Sequence, residues 1–185
     1  SFTIPAASPC ISSGLPLPLY MLDEGNKIGD IGELLLSLFL SQKTSEGYLF
    51  NPLLIGGKWP TMDIYAEVSQ DPGKFCFFQV KTTLRGCNAK GNLQIKVPKI
   101  KLERLAQYHA PSYLVGIDLK LDNPFHSKAY IAAIRGAHEY GMSSLSTAYE
   151  LNEENLIRLR DEVIEFWQHS NLLDTKTVYR SIFDI

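Results

Sequence analysis

The residues best suited to chemistry are Asp63, Gln79 and Lys81, which place a carboxylate, an amide and an ammonium group among apolar side chains. A lysine surrounded by Phe and Val is costly to bury unless a partner balances its charge, and Asp63 can be that partner. Carboxylate and amide oxygens could also hold a divalent metal ion, with the lysine beside it. The alternative is an exposed cross-strand ion pair between Lys81 and Asp63, and these residues alone do not decide between the two.

A β-hairpin is the element that would bring these side chains together. Its strands are predicted at residues 61–68 and 75–83, separated by a cluster of turn-forming residues at 69–73. Pro and Gly in that cluster favour the backbone angles of a tight turn. Side chains alternate between the two faces of a strand, so Gln79 and Lys81 should point the same way. Apolar residues should occupy the other face of the second strand: Cys76, Phe78 and Val80.

Glu33 is a fourth candidate, and it lies in a helix predicted over residues 28–43. The interior of this helix is apolar on nearly all sides, which predicts a well-buried element. Asp30 fits the N-cap position and Glu33 then fits a capping box, so a purely structural role is open. The functional alternative is that the Glu33 carboxylate faces the polar side of the hairpin. Experiment can separate them, since a cap affects stability and a catalytic residue affects rate.

The remaining pattern predicts alternating strands and helices. Strands are expected at residues 48–55, 92–97, 112–119 and 128–135. Pro52 favours an edge position or a bulge for the first of these, and the continuous apolar run at 112–119 is typical of a sheet interior. Helices are expected at residues 100–108 and 151–169, the second capped by Asn152 or a neighbour.

The chain has 185 residues and is 45% hydrophobic, which is enough for a sizeable core. The prolines near its start predict an extended arm over residues 1–22, and the rest of the chain is expected to form a single domain over 23–185. The three cysteines form no Cys-x-x-Cys pair, and an odd count without a disulfide framework suits a reducing cytoplasm. The four histidines lack metal-ligand spacing. No apolar run is long enough to span a membrane and no signal peptide is recognisable, so we expect a cytoplasmic protein.

Positive charge is concentrated in one part of the chain. Residues 74–104 hold eight basic side chains and one acidic one, although the formal net charge of the whole chain is −2. A local basic stripe can be the footprint of a polyanion, and the alternative is a solvated face of lysines. The stripe directly follows the Gln79–Lys81 pair, which favours the footprint. Its basic members are Lys74, Lys81, Arg85, Lys90, Lys96, Lys99, Lys101 and Arg104.

The predicted order helix, strand, strand, strand, helix, strand resembles the core of the PD-(D/E)XK nuclease superfamily, which has the restriction-endonuclease-like fold. The matching segments are Gly32-Glu33, Met62-Asp63-Ile64 and Gln79-Val80-Lys81-Thr82-Thr83. The resemblance covers about residues 28–135, leaving the helix within 150–170 as a C-terminal extension. It is closest to small bacterial domains of unassigned function and to Mrr-like restriction enzymes, which also use Gln-x-Lys.

Two positions depart from the pattern of that superfamily. Met62 replaces the Pro of its name, a position with no chemical role. Gln79 replaces the usual Glu or Asp, which removes one negative charge from the implied metal site, although an amide oxygen can still be a ligand. The resemblance implies an α/β fold with a mixed β-sheet flanked by helices, core order αβββαβ.

The same resemblance implies a mechanism, metal-assisted hydrolysis of a phosphodiester. Mg²⁺, for which Mn²⁺ can substitute, would be held by Asp63, Gln79, the Val80 carbonyl and Glu33. Lys81 would orient the attacking water or neutralise developing charge, which makes Glu33, Asp63, Gln79 and Lys81 the catalytic set. The expected nucleic-acid contacts are Thr82, Thr83, Arg85, Lys90, Lys96 and Lys99.

The resemblance leaves three classes of function open. The first is an endonuclease acting on DNA in preference to RNA, in defence or restriction, as a monomer or a homodimer. The second is a nuclease-fold domain that binds nucleic acid with weak or no chemistry, which Gln79 favours. The third is an interaction domain that binds a protein partner within a larger defence system, which the acidic C-terminal helix and the Pro-rich arm would suit.

Overall fold

The computed structural model describes residues 24–55, 59–136 and 138–170; the predicted arm at 1–22 lies outside them. Within these ranges the chain forms three α-helices and a five-stranded sheet. The helices are α1 (Glu24–Leu40), α2 (Lys99–Ala106) and α3 (Glu153–Ser170). A two-stranded hairpin, β1 (Lys43–Thr44) and β2 (Gly47–Tyr48), follows α1. The strands of the large sheet are β3 (Phe50–Leu54), β4 (Ile64–Val68), β5 (Phe75–Thr83), β6 (Ser112–Asp118) and β7 (Lys128–Ala133).

The large sheet is mixed. Its strands lie side by side in the order β3-β4-β5-β6-β7, with β5 and β6 parallel and the other neighbours antiparallel. The helix α2 forms part of the connection between the two parallel strands, which a two-residue turn could not make. Pro52 lies in β3, an edge strand of this sheet, as predicted. The α/β class with a mixed sheet flanked by helices is therefore confirmed.

Apolar side chains cover both faces of the sheet. Cys76, Phe78 and Val80 of β5 belong to a core that α1 and α3 complete. Leu114 of β6 belongs to a second core, on the opposite face, together with residues of α2. Phe77 of β5 also points to that second face, where its ring lies 5.5 Å from that of Tyr108. The two faces of β5 thus meet α1 on one side and α2 on the other.

Two local predictions are wrong. The helix α1 begins at Glu24, so Asp30 lies inside it and the capping box proposed for Glu33 does not form. The stretch 92–97 makes only isolated bridges instead of a strand, from Leu93 to Cys87 and Leu145 and from Val97 to Met142. It lies flat on β6 at Gly116, where an added Cβ would come within 2.7 Å of the Leu93 side chain.

Candidate functional site

The candidate site lies at the start of β4, where this strand first pairs with β5. The pairing of the two strands stops at Ile64 opposite Phe78, whereas β5 continues to Thr83 in register with β6. Asp63, predicted on the strand, lies one residue before it, and its backbone N–H donates to the Phe78 carbonyl at 2.9 Å. Its side chain is therefore placed against the part of β5 that follows Phe78.

Asp63 and Gln79 are joined by hydrogen bonds. The Asp63 Oδ2 atom accepts the backbone N–H of Val80 at 2.6 Å and the side-chain Nε2 of Gln79. The same Nε2 donates to the Val80 carbonyl at 3.4 Å. Gln79 is only 3% exposed, and its Oε1 atom has no hydrogen-bond partner among the described residues. The Gln79 amide nitrogen thus lies between two of the oxygens expected to hold a metal, while its own oxygen is buried and unsatisfied.

Glu33 reaches this region because α1 lies unusually close to β5. An ideal Cβ built on Gly32 would be 1.8 Å from the Thr82 Oγ1 atom, so only glycine permits the observed approach. Glu33 is the next residue along α1, and its side chain is half-buried. Close packing at Gly32 therefore holds Glu33 near the start of β4.

Burial raises the pKa of both carboxylates, and the charge of Asp63 adds to the shift of Glu33. Burial first, and then the negative charges of Asp63 and Asp30, raise the pKa of Glu33 to about 7, against the influence of Lys81. Burial also raises the pKa of Asp63, although the Val80 N–H, Lys81 and Lys101 favour its ionised form. A carboxylate that titrates near neutrality beside an acid and a lysine is a feature of functional sites.

Lys81 lies within the same group of charges. Its side chain is half-buried on the α2 face of β5, the face that it shares with Gln79. Burial, and then the positive charge of Lys101, lower the pKa of Lys81. The negative charges of Asp63 and Glu33 oppose this shift. The structure thus joins Asp63 to Gln79 by a hydrogen bond and places Glu33 and Lys81 within electrostatic range of Asp63.

Lys101 is a member of this group that sequence reasoning assigned only to the basic stripe. It lies on α2, is half-buried, and interacts electrostatically with both Asp63 and Lys81. Helical spacing could have indicated it, because Lys101 shares one face with Leu105, which is buried, and with Tyr108. Two lysines of two elements therefore face the carboxylate of Asp63.

The expected nucleic-acid contacts separate into two groups. Five of them line one pocket of about 800 Å³ beyond the end of the Gln79–Lys81 stretch: Thr82, Thr83, Arg85, Lys96 and Lys99. Lys90 is exposed and is not among the residues that line it. The Thr83 hydroxyl accepts the Arg85 N–H at 3.1 Å, which fixes the turn that brings Arg85 to the pocket.

The donors around Asp63 suit a hard cation such as Mg²⁺. No group of three or more His, Cys, Asp or Glu that could hold a metal occurs among the described residues. The available set is instead two carboxylates, the unsatisfied Gln79 Oε1 and the Val80 carbonyl, all oxygen ligands. Mg²⁺ keeps several waters and needs few protein ligands, so this set fits it.

Comparisons with known proteins add no name to this site. The chain matches no family model, no curated protein and no solved structure. The likeness to the PD-(D/E)XK superfamily stays a prediction that rests on four residues and the order of the elements around them. Within residues 24–55, 59–136 and 138–170, no helix has the length and apolar character needed to cross a bilayer.

Proposed function

We propose that this protein hydrolyses phosphodiester bonds of nucleic acid, DNA in preference to RNA, with Mg²⁺ or Mn²⁺ as cofactor. One observation carries the proposal, the meeting of Glu33, Asp63, Gln79 and Lys81 where β4 first pairs with β5. These residues come from three separate segments of the chain. Their resemblance to the PD-(D/E)XK pattern supports the same reaction.

The metal would be held by the carboxylates of Asp63 and Glu33, the Gln79 Oε1 atom and the Val80 carbonyl. A magnesium ion bound there supplies charge neutralisation at the phosphate and makes water more acidic. Gln79 must first rotate its amide, because its nitrogen now faces both Asp63 Oδ2 and the Val80 carbonyl. Binding of the cation would then satisfy the buried Oε1 atom.

The side chains of the protein supply the remaining steps. Lys81 and Lys101 place two positive charges beside Asp63, where they can stabilise negative charge on the phosphate as it is attacked. Burial and the negative charge of Asp63 raise the pKa of Glu33 to about 7 in the protein alone, so Glu33 would release its proton on becoming a ligand of the cation.

A second candidate is a nucleic-acid-binding domain whose chemistry is silent. The position of the Gln79 amide nitrogen favours it, because this group already donates to two oxygens that a metal would need. Gln79→Glu separates the candidates. If the wild type is inert and Gln79→Glu gains metal-dependent cleavage, the silent domain is the correct function.

The proposal is tested by incubating the purified chain with DNA and RNA substrates in Mg²⁺, Mn²⁺ or a chelator. We expect Asp63→Asn and Lys81→Ala each to lower the cleavage rate by about 100-fold or more. Asn is used because it keeps an oxygen for the Val80 N–H, which alanine would leave without its acceptor. Asp71→Asn, in the turn of the same hairpin, and Lys43→Ala, on β1, are matched controls expected to retain full rate.

Three results decide the outcome. Metal-dependent cleavage that is lost only in the Asp63 and Lys81 variants supports the proposed reaction. Cleavage that survives in both variants shows that another site or a contaminant is responsible. If neither the wild type nor Gln79→Glu cleaves any substrate or binds metal, hydrolysis is not the function.

A further inference from the structure

A pocket lies beside the candidate site on the same side of the sheet. It is an open pocket of about 800 Å³, lined by the end of β5, residues 94–99 and the loop at 141–143. Thr83 lines it and stands two residues after Lys81, with its side chain on the same face of the strand. The strand rise places the two residues roughly 7 Å apart, so a ligand in the pocket adjoins the candidate site.

The walls of the pocket differ in character. Arg85 and Lys96 contribute positive charge, and Lys99 adds a third cation, although its ammonium group also lies 3.5 Å from the Glu103 carboxylate. Ile95, Val97 and Met142 form the other wall; the first two are buried, so the half-buried Met142 offers the apolar surface. A ligand that matches both walls has an anionic part and a flat or apolar part, which describes a nucleotide.

The beginning of α2 adds to the preference for an anion. Pro98 is its N-cap and lines the pocket, but no side chain caps the first backbone N–H groups of the helix. The first turn contains no acidic residue and begins with Lys99. Positive charge at the positive end of a helix is unfavourable, and a phosphate group would supply a counter-charge in addition to that of Glu103.

The size of the pocket restricts what can enter it. A volume of several hundred cubic ångströms encloses a ligand of drug size, on the order of one or two nucleotides. A base inside a duplex is stacked and paired, so it must leave the stack at a cost of a few kcal/mol. An unpaired nucleotide enters without that cost. A pocket of this size therefore favours an unpaired nucleotide over one that is stacked in a duplex.

We infer that this pocket binds an unpaired nucleotide of single-stranded DNA, next to the phosphate that the candidate site would attack. The position relative to the scissile phosphate rests on the proposed function, whereas the preference for unpaired DNA does not. The substrate would then be single-stranded or frayed DNA. Cutting within a fully paired duplex would require a base to be extruded first.

The test measures binding without cleavage, by fluorescence anisotropy of labelled DNA in a chelator. The probes are a short oligothymidylate and a blunt duplex of equal length. Ser143→Trp is the main variant, because Ser143 is exposed at the pocket and tryptophan would occupy part of the space without changing the charge. Arg85→Ala removes one cation. Ala148→Trp and Lys43→Ala are matched controls on exposed positions that do not line the pocket.

We expect the wild type to bind oligothymidylate at least about tenfold more tightly than the duplex, and Ser143→Trp and Arg85→Ala each to weaken that binding about tenfold. Neither control should change the affinity by more than about twofold. Circular dichroism of each variant shows whether it is folded, and if Ser143→Trp is not, Met142→Trp replaces it.

The inference is overturned if the duplex binds as tightly as the single strand. It is also overturned if the folded tryptophan variant binds oligothymidylate like the wild type, even when Arg85→Ala weakens binding, because charge alone would then explain the affinity. Cleavage is not involved, so an inert protein that passes this test disproves the proposed hydrolysis and leaves the pocket assigned. A protein that cleaves DNA but fails this binding test supports the proposed hydrolysis and overturns the assignment of the pocket.

Discussion

Replacement of Gly32 by alanine tests the contact that holds α1, and with it Glu33, against β5. The added Cβ would meet Thr82 at three atoms, at 1.8 Å from Oγ1, 3.0 Å from Cβ and 3.2 Å from Cγ2. Rotation of the threonine can move Oγ1 away but cannot move its Cβ. The backbone of α1 or β5 must therefore give by a few tenths of an ångström, and Gly32→Ala is expected to shift Glu33 relative to Asp63.

Gly29→Ala is the matched control on the same helix. Nothing lies within 4 Å of a Cβ added at Gly29. Alanine in a helix interior is favoured over glycine by about 1 kcal/mol, so Gly29→Ala should raise the free energy of unfolding by roughly that amount. Gly32→Ala has the same gain, but overpacking costs about 1–3 kcal/mol. The helix propensity gain is the same in both variants and cancels when their free energies of unfolding are subtracted. The remaining difference should be about 2 kcal/mol.

Urea denaturation measures this difference. For a small domain the free energy of unfolding falls by about 1–3 kcal/mol for each molar of urea, so the two midpoints should differ by about 1 M. Thr82→Ala removes Oγ1 and Cγ2, so Gly32→Ala should cost about 1 kcal/mol less in that background. If Gly32→Ala stabilises the protein as much as Gly29→Ala does, α1 is not held against Thr82 and the placement of Glu33 is wrong.

Two further predictions concern the charges of the site. The folded state keeps a proton on Glu33 up to about pH 7, whereas the unfolded chain releases it near 4.5, so this residue stabilises the fold at low pH and the contribution is lost as the pH rises through 7. Since Glu33 is half-exposed, we expect only about 1 kcal/mol, and urea midpoints across this range should fall less in Glu33→Gln than in the wild type. An equal fall in both proteins would rule out Glu33 as the cause. Gln79→Glu places a second carboxylate beside Asp63 in place of a donor, which should lower the free energy of unfolding by about 1–3 kcal/mol without metal. Added Mg²⁺ should then raise the melting temperature more than in the wild type, and an equal rise would show that residue 79 is not a ligand.

Local patterns in the sequence were sufficient to predict the hairpin and the ends of several elements. The turn formers before Phe75 and the alternation after it predicted β5 over residues 75–83, as observed. Asn152 was predicted as a cap of the last helix, and its Oδ1 accepts the Asn155 N–H at 3.0 Å. Such features depend on neighbours a few residues away, and their physical causes are therefore visible in the sequence.

Other features depended on partners that no local pattern identifies. Residues 92–97 alternate like a strand, yet they lie on the face of the sheet at Gly116, because alternation does not specify which backbone will supply hydrogen bonds. The helix α1 begins at Glu24, before the predicted start at residue 28. Hydrophobic periodicity reveals buried residues, and the polar first turn of α1 carries no such periodicity. Lys101 was missed as a site residue because its face of α2 is inward only once α2 lies on the sheet.

For the candidate site, the sequence by itself determined the chemical groups and the shared face of Gln79 and Lys81, because strand alternation is a property of the backbone. Only the tertiary structure decided that their charges meet. Asp63 faces Val80 because β4 begins one residue after it, and Glu33 arrives because Gly32 lets α1 approach Thr82. The pKa of Glu33 near 7 follows from burial and from Asp63, which is thirty positions away in the chain and close to it only in the fold.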